Sequence, residues 1–126
     1  MKKILVIDDE EQIRNVISRY LQHDGYDVIA VGDAKEAMKA VHEHVFNLVI
    51  TDILLPEKNG IELIADLDKE FPGLKFIAIS GGGHIPADLY LESARSQGAA
   101  MSLQKPFDRS DLLDAVEKLI GESVSI

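Results

Sequence analysis

The chain has 126 residues, 46% of them hydrophobic and 28% charged, a size and mixture that suit one globular domain with one core and are unlike a disordered chain. Its formal net charge of −9 and the lack of a basic patch argue against direct binding to nucleic acid or anionic lipid. With no cysteine present, disulfides and thiolate metal sites are excluded.

The first apolar run, Ile4 to Ile7, stops at Asp8-Asp9, too early for a signal-peptide core or a membrane span. A cytoplasmic location is therefore expected. Lys3 to Ile7 reads as a strand buried on both faces. Ile13, Val16, Ile17, Tyr20 and Leu21 then recur at helical spacing, predicting an amphipathic helix that ends near Gly25. The acids Asp8-Asp9-Glu10-Glu11 at its start suit the positive end of the helix dipole. Asp27 to Val31 is a second strand, and Ala34 to Glu43 a second helix with Ala37, Met38 and Val41 inward. Asn47 to Thr51 is a third strand, climbing to Asp52 before Pro56 forbids further regular structure.

Ile61, Ile64, Leu67 and Phe71 mark a third helix, begun by Asn59-Gly60 and stopped by Pro72-Gly73. Lys75 to Ile79 is a fourth strand, closed by Ser80. Gly81 to Pro86 reads as a loop, since three glycines do not hold an element interior. Asp88 to about Gln97 is expected to be a fourth helix. Ala100 to Gln104 is a fifth strand, ended by Lys105-Pro106. Asp108 then caps a fifth helix carrying Leu112, Leu113, Val116, Leu119 and Ile120. Residues 1–121 are read as one domain, and 122–126 as a tail expected to fray.

Five strands alternating with five helices predict an α/β three-layer sandwich around a parallel sheet, with the flavodoxin-like strand order 2-1-3-4-5. That order brings Asp8 and Asp9, Asp52, Ser80 and Lys105 to one rim, because each ends a strand. Taken singly these residues say little. Asp9 is also a helix cap in form, Asp52 a loop carboxylate, Ser80 an ordinary strand-end serine and Lys105 a solvated lysine. Their joint placement is the signal. Three carboxylates so close repel, by roughly 4 kcal/mol per pair at about 4 Å and an effective dielectric near 20. A divalent cation relieves this, and oxygen-only ligands favour a hard ion such as Mg2+. An ionised aspartate beside a hard cation, a hydroxyl and a lysine is equipped to accept a phosphoryl group, which points to Asp52.

These residues resemble those of response-regulator receiver domains of two-component signalling, from Lys2 to about Gly121. The resemblance rests on Asp8-Asp9, on Asp52 followed by Pro56 and Gly60, on Ser80, and on Lys105-Pro106-Phe107. It implies a signalling domain rather than an enzyme, with Asp52 receiving the group from a phosphohistidine on a sensor histidine kinase or a histidine phosphotransfer protein. It further implies Mg2+ held by Asp8, Asp9, Asp52 and the backbone carbonyl of Leu54. Lys105 pairs with the phosphoryl group, and Ser80 swings towards it. If the chain is complete, no effector domain follows, and output passes through the fourth helix, fifth strand and fifth helix, with Tyr90 and Leu91 as contacts or packed on the sheet. A receiver cut from a larger regulator would carry the same sequence.

Three departures from the family pattern stand out. Ser102, next to Leu103, occupies a place where the family often has Phe or Tyr, so an aromatic switch is not expected. Ser80 lacks the methyl of the commoner Thr. The loop Gly81 to Pro86 is long, is expected to order on phosphorylation, and carries His84, a solvated histidine or a fourth metal ligand. Leu54 and Gly82 flank the acceptor without a group to position water, predicting a long-lived phosphoryl group; its loss within seconds would contradict this. Two rival readings are a flavin carrier, disfavoured by the acids after the first strand, and an aspartate-based phosphohydrolase, disfavoured by Leu54 where a second acid is needed.

Overall fold

A computed structural model describes residues 2–81 and 100–121. In chain order it contains β1 (Lys3–Ile7), α1 (Glu11–His23), β2 (Asp27–Val31), α2 (Ala34–Glu43), β3 (Leu48–Asp52), α3 (Gly60–Glu70), β4 (Lys75–Ser80), β5 (Ala100–Gln104) and α4 (Arg109–Ile120). The strands form one sheet in the order β2-β1-β3-β4-β5, and every neighbouring pair is parallel. The expected topology is therefore observed. The described residues hold four helices, not five. The helix expected near 88–97, with Gly82, His84, Tyr90 and Leu91, lies outside them.

Strand alternation builds the two apolar layers. Leu5, Val49 and Phe76 point to the side covered by Ala37 and Val41 of α2 and Leu63 and Leu67 of α3. Ile4, Ile50 and Ile77 point to the other, against Ile17 and Leu21 of α1 and Leu112 and Val116 of α4. Central β1 and β3 are buried almost throughout, as a parallel sheet covered on both faces requires. Edge strand β2 is only half-buried.

The helix ends follow local chemistry. α1 gives way to Asp24 and then Gly25, whose φ of 94° turns the chain into β2 in a conformation that favours glycine. Asp33 and Asn59 cap α2 and α3 by accepting from the N–H groups of Glu36 and Ile61. Asp108 and Asp111 form a reciprocal capping box on α4. Two details differ from expectation. Val16 sits at the margin of the apolar stripe of α1 and is 45% exposed. β3 starts at Leu48, one residue late, and takes in Asp52, whose backbone pairs with Ile79.

Candidate functional site at the carboxyl edge of the sheet

Parallel strands end together at one edge, and the polar residues collect there. Asp8 leaves β1, Asp52 closes β3, Ser80 closes β4 and Lys105 follows β5. Asp8 and Asp52 are buried, at 1% and 5% exposure. Ligand atoms of Asp8, Asp9, Glu10 and Asp52 lie within 4.8 Å of one another. Lys105 faces three of them, its Nζ 3.0 Å from Asp52 Oδ2 and 3.7 Å from both Asp8 Oδ2 and Glu10 Oε1. The Lys105–Pro106 peptide is cis.

Asp9 is not the cap of α1; Glu10 holds that position, with no side-chain cap hydrogen bond. Asp52 is a buried strand residue, and Lys105 an ion-pairing one. Asp52 Oδ1 accepts from the Leu54 N–H at 2.9 Å, which ties the Leu54 backbone to Asp52 while the Leu54 side chain stays 61% exposed. Ser80 is half-buried, and its carbonyl accepts from the Lys105 N–H at 2.8 Å. Among the described residues, its hydroxyl makes no hydrogen bond to the acids. Glu10 joins the set although sequence reasoning did not single it out; the unbroken acidic run from Asp8 to Glu11 was the available signal.

Electrostatics follow from this crowding. Burial, above all, pushes the Asp8 carboxyl up to about 6, helped by the charges of Asp52 and Glu10 and opposed by the Glu10 N–H and Lys105. Burial draws the Lys105 ammonium down, but the hydrogen bond and charge of Asp52, with Asp8 and Glu10, outweigh it and hold Lys105 above its ordinary value. One atom stands out: Asp8 Oδ2 is buried with no hydrogen-bond partner, a costly condition for a carboxylate oxygen. An all-oxygen donor set with one such atom fits a hard divalent cation. A separate groove of about 830 Å3 opens near the opposite end of the strands, among His42, Phe46, Phe71 and Leu74. It gathers no such set of acids.

The family model described as the response regulator receiver domain matches residues 4–117. The chain belongs to that family. It is 32% identical over 120 residues to the response regulator receiver protein CpdR of Brucella abortus, covering 95% of this chain and 98% of that one. It spans only about a quarter of other curated relatives, 24% of one and 26% of another. A CheY-like receiver domain protein from Methanospirillum hungatei superposes with a TM-score of 0.83 at 29% identity, over 94% of this chain and 92% of that one. TrrA of Thermotoga maritima, solved in complex with Mg2+-BeF, gives a TM-score of 0.80 at 32% identity, over 94% and 98% of the two chains. This protein is thus a receiver domain of two-component response regulators, a signalling domain. No helix among its described residues is long and apolar enough to cross a membrane.

Proposed function

We propose that this receiver accepts a phosphoryl group on Asp52 from a phosphohistidine, borne by a sensor histidine kinase or a histidine phosphotransfer protein, in the cytoplasm. One Asp52 carboxylate oxygen forms the new P–O bond while the P–N bond to the donor imidazole breaks, its electron pair returning to the ring nitrogen. Asp8, Asp9, Asp52 and the Leu54 carbonyl are the ligands proposed for Mg2+. When bound, the ion supplies positive charge against the repulsion between two approaching anions.

Lys105, already 3.0 Å from Asp52 Oδ2, is placed to move its contact from the carboxylate to a phosphoryl oxygen. Ser80 is the hydroxyl proposed to donate to another. Lys105 and Ser80 flank β5, so their movement gives a route to altered protein contacts on the β5 and α4 side. The observation that carries this reading is the buried Asp52 carboxylate, held between the Leu54 N–H and Lys105 and next to Asp8 Oδ2, which has no hydrogen bond.

Chemical trapping tests the acceptor directly. After incubation with acetyl phosphate and Mg2+, borohydride reduces an acyl phosphate to the alcohol, and peptide mapping locates it. Reduction at Asp52 is expected. Reduction at Asp8 or Asp9 instead would refute the assignment.

A further inference from the structure

Asp8 is restrained at nearly every polar atom. Its N–H donates to the Val31 carbonyl at 3.2 Å, and its Oδ1 accepts from the Glu10 N–H at 2.8 Å. Its carbonyl oxygen accepts from Arg14 Nη1 at 2.8 Å. Oδ2 alone has no hydrogen bond. The Asp8 carbonyl belongs to the peptide on which the chain leaves the sheet, so rotation there would swing Asp9 and Glu10 away from Asp52.

Arg14 reaches back from the first turn of α1 to that carbonyl, and Gly32 leaves room for its guanidinium. A Cβ on Gly32 would stand 3.0 Å from Arg14 Nη1 and 3.8 Å from Cζ. The backbone of Gly32 is not left-handed, so space, not φ, is what glycine provides at this position. Two residues from different elements thus meet on one carbonyl.

We propose that Arg14 is the positioning residue of the acidic rim: by clamping the Asp8 carbonyl in a berth left open by Gly32, it aims Asp8 Oδ2 and the following acids at a divalent cation. This rests on the reading of the rim as a Mg2+ site. Electrostatics alone predicts that removing a cation near the rim tightens Mg2+ binding; loss of positioning predicts the opposite.

Titration calorimetry with Mg2+ alone, on wild type, Arg14→Met, Arg14→Lys, Gly32→Ala and Asp8→Asn, separates these. Arg14→Met is expected to weaken Mg2+ binding by about tenfold or more, the usual size for loss of an outer partner of a ligand. Arg14→Lys, which keeps one donor, should fall between it and wild type, and Gly32→Ala should shift affinity in the same direction. The Mg2+ concentration giving half-maximal phosphorylation by acetyl phosphate should rise in parallel, with less change in the rate at saturating Mg2+. Unchanged or tighter binding in a folded Arg14→Met protein overturns the proposal, whatever happens to its urea midpoint. If Arg14→Met does not fold, Gly32→Ala decides, and unchanged affinity there overturns it. Wild type that binds Mg2+, lost in Asp8→Asn but kept in Arg14→Met, refutes the clamp alone. Wild type that binds no Mg2+ refutes both the clamp and the metal site beneath it.

Discussion

Burial lifts the Asp8 carboxyl to about 6, against about 3.9 for a free aspartate, and the consequence for folding has an unusual sign. Between these values the native state holds a proton that the unfolded chain has released, so this residue's contribution to stability falls as pH rises from about 4 to about 6. A salt-bridged carboxylate with a depressed pKa behaves the other way. At neutral pH the ionised Asp8 costs the metal-free fold on the order of 1–3 kcal/mol. Asp8→Asn keeps an acceptor for the Glu10 N–H but cannot ionise. It should therefore raise metal-free stability by about 1–3 kcal/mol at pH 7.5 and make little difference near pH 4. Urea unfolding of both proteins at the two pH values checks this. A destabilised Asp8→Asn at pH 7.5 would show that hydrogen bonding, not repulsion, governs the residue.

The joint between β3 and α3 sets how closely an element can approach Asp52. Gly60, the first residue of α3, donates its N–H to the Ile53 carbonyl at 2.7 Å. A Cβ there would fall 2.2 Å from the Asp52 carbonyl oxygen and 2.9 Å from Ile53 Cα. Both neighbours are backbone and cannot step aside. Gly60→Ala should cost about 2–4 kcal/mol, read as a lower urea midpoint, and should slow phosphorylation because the same carbonyl belongs to Asp52. A midpoint within experimental error of wild type would mean that α3 shifts freely, and the tight joint would be wrong. Most element boundaries were legible because breakers and caps bracket them: Gly25, Asp33, Asn59, Pro72-Gly73 and Asp108 all act locally. The one-residue displacement of β3 was not, because Asp52 pairs with Ile79 through its backbone whatever its side chain prefers. Val16 was misread because helical spacing alone does not say where an apolar stripe ends.

At the scale of the whole molecule, the sheet is a frame that carries apolar layers on both faces and gathers charge at one edge. The meeting of Asp8, Asp9, Asp52 and Lys105 was legible because strand order and strand ends follow from hydrophobic pattern. The sharing of Lys105 among three acids, the lack of a hydrogen bond at Asp8 Oδ2 and the reach of Arg14 were not. Each depends on distances between residues that no local pattern relates. A fold built around repelling acids should gain stability from the ion that relieves them. Mg2+ at about 100 times its dissociation constant should add about 2.7 kcal/mol to unfolding, visible as a higher thermal midpoint, and Asp8→Asn should abolish the gain. An equal gain in both proteins would place the ion elsewhere.

The most direct test of the central claim is intact mass after incubation with acetyl phosphate, with and without Mg2+, on wild type and Asp52→Asn. A gain of about 80 Da, one phosphoryl group, that requires Mg2+ and is absent from Asp52→Asn is the predicted result. No gain under any condition, or the same gain in Asp52→Asn, would leave the receiver fold in place and contradict Asp52 as the acceptor.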